Sequence, residues 1–240
     1  MGAAILTGLD QVGALEAVAL AALEMVREGD QLGLGTGRAA KAFVTALGLR
    51  VREGLRVAAM PTSGATAVLA KSLGIPLLDP REAPELRLVF DGADEVSPSL
   101  DLIKGYGGAL VREKIVASLG ERFVVLIGEE KLVSHLGERG RIPVEVIPFA
   151  SGFVARKVAG LGLLPSLRQD GESNYETDNS NWILDCGTSG IADPAALDQA
   201  LLQIPGVVGT GIFANMADIV LVGTSGGVRR LERLRPREAE

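Results

Sequence analysis

Short runs of Val, Ile and Leu alternate with helix-length stretches along the first half of the chain, and glycine stands at many of the joins. The periodicity predicts helices over 10–27, 38–47, 64–73 and 108–119, and strands over 32–34, 56–60, 86–90 and 123–127. The run Phe-Val-Val-Leu-Ile at 123–127 is too short for a globular helix and reads as a buried strand. Helix and strand in strict alternation with short connections form a parallel sheet covered on both faces, so the chain is α/β. The thirty-one glycines fit such a fold, whose strand-to-helix turns bend tightly or approach a ligand closely.

Beyond Lys131 the rhythm changes. A Gly/Pro-rich connection reaches Pro143, followed by an extended stretch over 144–148 and a helix over 153–161. Strand signals at Leu167 and over 181–186, then a helix over 194–203, fit a small α+β unit with an antiparallel sheet of the split βαβ kind. Residues 218–222 read again as a buried parallel strand, returning the chain to the first sheet. The last twelve residues, with five arginines and three glutamates, read as a solvated tail or helix end.

Charge and residue counts exclude several functions. Twenty-four basic against thirty acidic side chains leave a net charge of −6, which repels nucleic acid and anionic membranes. No apolar run reaches the roughly 18 to 20 residues that span a bilayer, and the segment before Asp10 has no Lys or Arg for a signal n-region. A cytoplasmic protein without nucleic-acid or membrane partners is expected. One cysteine, Cys186, and one histidine, His135, leave no His/Cys cluster for a metal.

Three strings carry candidate chemistry. Gly33-Leu34-Gly35-Thr36-Gly37-Arg38-Ala39-Ala40 joins the first strand to a helix, where free amides at a helix N-terminus favour an anion. From Gly35 it also satisfies G-x-G-x-x-A, but the acidic residue that a nucleotide ribose needs after the second strand is absent. Pro61-Thr62-Ser63-Gly64 stands there instead and suits another phosphate or sugar contact. A smaller phosphorylated ligand, a nucleotide and a purely structural turn are the three readings of the glycine string.

Asp91-Gly92-Ala93-Asp94-Glu95 follows the third strand, at the carboxyl edge where open α/β sheets bind ligands. Its carboxylates fit a cup for sugar hydroxyls with one group free for proton transfer, a magnesium site, or a capping turn. Lys104-Gly105-Tyr106-Gly107-Gly108 then sets a cation and free amides ahead of a helix that carries Glu113. A glutamate lifted in pKa by burial there is a candidate base for moving a proton to and from carbon, against the alternative of an exposed helical side chain. Lys131 is a candidate second cation.

These strings, in this order and together with Pro143-Val144-Glu145-Val146-Ile147-Pro148, Thr177-Asp178-Asn179 and Ile204-Pro205-Gly206-Val207-Val208, resemble type A ribose-5-phosphate isomerases over nearly the whole chain. The resemblance implies a Rossmann-like, mostly parallel sheet domain over 1–140, completed by 214–240. A smaller α+β, ferredoxin-like domain is inserted over 141–213. It implies interconversion of D-ribose 5-phosphate and D-ribulose 5-phosphate without cofactor or metal, by a homodimer or homotetramer. Glu113 would shuttle the proton between the first two sugar carbons through an enediolate. Asp91 would assist ring opening and hydroxyl proton transfer, and Lys104 would offset the oxyanion.

Asp94 would bind sugar hydroxyls. Thr36, Gly37, Arg38, Ala39, Gly92, Ala93, Gly105, Tyr106, Gly107 and Lys131 would complete the substrate site. Three positions depart from the family pattern. Arg38 and Ala39 replace two hydroxyl residues, with Arg38 able to supply a bidentate substitute. Tyr106 replaces a glycine, and Leu15 stands where a first-helix lysine is usual. A paralogue acting on another sugar phosphate, a non-catalytic sugar-phosphate sensor and a nicotinamide dehydrogenase are the competing functions. The sensor lacks residues for a helix-turn-helix before the first strand, and the dehydrogenase lacks the ribose-binding acid.

Overall fold

The structure is a computed structural model that describes residues 2–233, with side chains from 13 onward. Along the chain run α1 (Gly2–Leu23), β1 (Gln31–Leu34), α2 (Arg38–Arg52), β2 (Ala58–Pro61), α3 (Gly64–Ser72), β3 (Leu86–Asp91), β4 (Glu95–Val96) and β5 (Leu102–Ile103). There follow α4 (Leu110–Ser118), β6 (Gly120–Gly128), β7 (Arg141–Val146), α5 (Ser151–Ala159), β8 (Leu164–Leu167), β9 (Gln169–Asp170), β10 (Ser173–Asn174) and β11 (Trp182–Gly187). The last elements are α6 (Pro194–Leu202), β12 (Val207–Thr210), β13 (Ile212–Phe213), β14 (Ile219–Thr224) and β15 (Gly227–Glu232).

The main sheet has the order β15-β14-β6-β3-β1-β2 and is parallel except for its edge strand β15. Side chains alternate along each strand, so β6 sends Val124 and Leu126 to one face and Phe123, Val125 and Ile127 to the other. The first face packs on Val18 and Ala22 of α1 and on Phe43 and Leu47 of α2. The second packs on Val116 of α4 and on Leu102 and Phe213, which belong to a three-stranded sheet β13-β5-β4. β2 lies on one side of β1 and β3 on the other, so the chain order reverses between β1 and β3. That crevice, at the carboxyl ends of the strands, is the binding position of open α/β sheets.

Residues 141–210 build a four-stranded antiparallel sheet of order β12-β7-β11-β8. With α5 after β7 and α6 after β11, the element sequence is βαββαβ, the ferredoxin-like arrangement. Ile142, Val144 and Val146 pack with Val154 and Val158 of α5 and Leu201 of α6 in a third core, which Ile103, Val133 and Leu136 from before residue 141 also enter.

Three expectations shift. The strand expected over 144–148 is Arg141–Val146, because Pro148 opens a short 3-10 turn. The first helix ends at Leu23, earlier than expected. The first third of the expected solvated tail, 229–232, belongs to β15, which pairs through six residues with β14 and packs Val228 and Leu231 against the cores on opposite faces of the sheet. Residues 234–240 lie outside the described residues. Among the described residues, no helix is long and apolar enough to cross a membrane.

Candidate active site

The loops that leave β1 and β3 meet at the crevice. Asp91, the last residue of β3, accepts the Thr36 amide at 3.0 Å and the Gly92 amide at 2.7 Å on Oδ1. Gly35 makes this approach possible, since a Cβ there would stand 2.0 Å from that same oxygen. Gly37 caps α2 with φ at 106°, a conformation that favours glycine, so the turn closes at the start of the helix. Gly33 is a packing position instead, where a Cβ would meet Val116 at 2.7 Å.

Lys104 reaches into the same crevice from the end of β5. Its Nζ lies 2.9 Å from Asp91 Oδ2 and 3.2 Å from Glu113 Oε2, and it donates to Gly92 O at 2.5 Å. Asp91, Lys104 and Glu113 are 1%, 2% and 4% exposed, so two carboxyls share one ammonium almost without water. Burial pushes the Glu113 pKa up to about 8; repulsion from Asp91 adds to this and Lys104 opposes it. Burial also raises Asp91, against Lys104 and its two amide donors. Burial works against the charge of Lys104, but Asp91 and Glu113 outweigh it and hold the ammonium protonated. A carboxyl that binds and releases a proton near neutral pH thus stands beside a permanent cation.

These groups open on a cavity of about 140 Å³. That is below the roughly 300–1,000 Å³ of drug-sized sites and suits a small ligand. Thr36, Gly37, Arg38 and Ala39 form one wall, and Gly92, Ala93 and Asp94 another. Lys104, Gly105, Gly107, Glu113 and Lys131 also line the cavity, as does Leu15. Asp91 is not on the lining and meets the cavity through Lys104. The Tyr106 side chain turns away from the cavity: its hydroxyl donates to Arg141 O at 3.3 Å and its ring lies 4.1 Å from the Arg141 guanidinium. Its amide faces the site, donating to Asp94 Oδ2 at 2.9 Å.

Two expectations are corrected. Thr62 and Ser63 are buried and bond the Thr36 hydroxyl, each at 2.8 Å, while Ser63 also caps α3 through the Thr66 amide. They brace the glycine turn and do not offer a second ligand contact. The acidic string is not one cluster, because Glu95 lies in β4 and accepts the Gly137 and Arg139 amides at 2.6 and 2.7 Å. Among the described residues, no group of three or more His, Cys, Asp or Glu side chains is placed to hold a metal. Cys186 is buried, which pushes its thiol up to about 12 and leaves it unreactive.

Periodicity and spacing did not mark Gly128 and Glu130 as lining residues. Gly128 ends β6 and Glu130 follows it, at the same carboxyl edge as Asp91, and sheet order is the signal that would have found them. Glu145, fully buried in β7, holds the turn 177–181 by accepting from Thr177, Asn179 and Asn181 at 2.9–3.1 Å. That turn touches the main sheet layer. Asp178 accepts the Gly64 amide, and Arg112, next to Glu113, donates to Asn179 Oδ1 at 2.8 Å.

Fold and site together define a doubly wound α/β protein with a lysine held between two buried carboxyls at its switch point. The chain belongs to the ribose 5-phosphate isomerase A (phosphoriboisomerase A) family, whose model matches residues 58–227. It is 46% identical over 224 residues to a ribose-5-phosphate isomerase A of Thermomicrobium roseum, covering 92% of this chain and 94% of that protein. The structure of ribose 5-phosphate isomerase A from Methanocaldococcus jannaschii superposes with a TM-score of 0.88 at 43% identity, over 92% of this chain and 98% of that one. A D-ribose-5-phosphate isomerase solved in complex with phospho-erythronic acid gives 0.90 at 36% identity, over 93% and 99%.

Proposed function

We propose that this protein interconverts D-ribose 5-phosphate and D-ribulose 5-phosphate as an aldose–ketose isomerase of the pentose phosphate pathway. The observation that carries this reading is Lys104 held between two buried carboxyls, Asp91 and Glu113. Glu113 takes the proton from the second sugar carbon, leaving an enediolate, and returns it to the first. Asp91 assists ring opening and carries the hydroxyl proton from the second oxygen to the first. Lys104 stabilises the negative oxygen formed in between. The carbon proton and the hydroxyl proton are each taken and returned to the same sugar, so the step balances without a redox cofactor.

The free oxygen of Asp94 takes sugar hydroxyls. The turn 36–39, at the N-terminus of α2, receives the phosphate, with Lys131 of the cavity lining as a second cation. Family membership and the separate antiparallel sheet of 141–210 support the domain division at 1–140 with 214–240 and at 141–213, and family membership supports a homodimeric or homotetrameric cytoplasmic enzyme. The test is ketose formation from several aldose phosphates by protein dialysed against a chelator. Ribose 5-phosphate should give the highest kcat/KM without added nucleotide. Absence of ketose, or activity restored only by magnesium or nicotinamide nucleotide, would overturn the reading.

Arg38 is the exposed cavity residue best suited to a dianion, since its guanidinium supplies two charge-assisted hydrogen bonds. Arg38→Ala should raise KM far more than it lowers kcat, because the phosphate is remote from the reacting carbons. Losing one charged partner removes about 1.5–3 kcal/mol, roughly 10- to 150-fold in kcat/KM. Steady-state kinetics would show it. An unchanged KM would leave the phosphate to the turn amides and Lys131.

A further inference from the structure

The glycine loop after Lys104 is held from outside by the ferredoxin-like layer. Arg168, one residue past β8, donates from Nη1 to Gly105 O at 3.0 Å and to Tyr106 O at 3.2 Å. Its other two nitrogens fork onto Asp185 of β11 at 2.9 and 2.5 Å. The Tyr175 hydroxyl donates to Gly107 O at 3.4 Å, and its ring packs so tightly that a Cβ on Gly108 would meet the phenol oxygen at 2.1 Å. Three consecutive loop carbonyls are therefore turned toward this layer.

A planar trans peptide points its C=O and N–H in opposite directions. The amides of residues 106 and 107 consequently face away from Arg168, and that of 108 faces away from Tyr175. Tyr106 N–H goes to Asp94 at the cavity, and Gly108 N–H closes the turn on Gly105 O at 3.0 Å. Gly107 N–H has no acceptor among the described residues, and Gly107 lines the cavity beside Lys104.

We infer that Arg168, oriented by Asp185 and seconded by Tyr175, is a positioning residue that aims the Gly107 amide at the oxyanion formed on the substrate. The inference rests on the isomerase reading above. Only a guanidinium can hold two carbonyls with one nitrogen and fork onto a carboxylate with the others; an ammonium keeps the charge and loses the geometry. The Arg168 side chain is 11% exposed and that of Asp185 14%, so the assembly is shielded from competing water. Arg141, 3.5 Å from Asp185, is the other cation facing it.

The test compares the parent with Arg168→Lys, Arg168→Ala and Arg233→Ala. Arg233 is a matched control, because it donates to the carbonyls of Leu100 and Ala217, away from the loop. Readouts are kcat and KM for ribose 5-phosphate, the inhibition constant of 4-phospho-erythronate, whose carboxylate mimics the charged intermediate, and Tm. Both Arg168 variants should lose about 10- to 100-fold in kcat, as for a displaced oxyanion donor. The inhibition constant should rise by the same factor, with KM nearly unchanged. Arg233→Ala should lower Tm and leave both ratios at the parent value. If Arg168→Ala does not fold, Arg168→Lys carries the comparison. An active parent with unchanged kcat and inhibition constant in the Arg168 variants, or with the same changes in Arg233→Ala, would overturn the positioning role alone. A parent that does not isomerise ribose 5-phosphate would overturn both readings.

Discussion

Glu113→Gln should lower kcat by about 10²- to 10⁴-fold and leave the fold intact. Glutamine keeps the volume of the side chain in its 4% exposed position and removes only its basicity. It also relieves the site electrostatically, because one carboxylate then faces one ammonium where two shared it. The loss is therefore chemical, and circular dichroism of the two proteins should coincide.

The parent should show the matching pH dependence. Glu113 must be deprotonated to take a proton, and its pKa lies at about 8, so log kcat/KM should rise through that pH. The substrate phosphate ionises near ~6 and gives a separate limb. Repulsion from Asp91 is one cause of the raised value, so Asp91→Asn should move the upper limb to lower pH while reducing the rate. Activity in Glu113→Gln within a few-fold of the parent, at equal folding, would remove Glu113 from the role of base.

Lys104→Met should be the most pH-sensitive variant in stability. Methionine fills the site, but Asp91 and Glu113 are then buried with no cation between them, which costs about 3–5 kcal/mol at neutral pH. Both carboxyls rise further above their unfolded values, which lie near ~4. A carboxyl whose folded pKa is raised stabilises the fold fully below its unfolded pKa, and that contribution is lost as pH rises through the folded value. The deficit relative to the parent should thus be largest around pH 8 and shrink toward pH 5. Activity should fall by about 10²- to 10³-fold with the loss of the group facing the oxyanion. Denaturant unfolding at the two pH values, beside steady-state kinetics, checks both. Equal deficits at pH 5 and 8 would mean that Lys104 does not compensate the carboxyls.

Local pattern alone determined much of this molecule. The run at 123–127 had to be a buried strand, and it became the centre of β6, with alternate residues in two cores. Gly37 before an amphipathic stretch had to open a helix, since its φ of 106° and the 3.6-residue period act within a few residues. The strings holding Asp91, Lys104 and Glu113 were legible because their residue types and the glycines beside them already limit the chemistry. Whether those three would meet was not, since Asp91 comes from β3, Lys104 from the end of β5 and Glu113 from α4.

Other features existed only in three dimensions. β4, β5 and β13 are two residues each, too short for any period, and form only by pairing with one another. Glu95 looked like a partner of Asp91 and Asp94 until strand alternation turned it toward the Gly137 and Arg139 amides. Arg168 lies more than sixty positions from the glycine loop and carries no local mark of what it holds. Period and turn chemistry are written in neighbouring residues, whereas the burial that raises Glu113 and the geometry that orients a loop amide arise only when distant segments pack and exclude water.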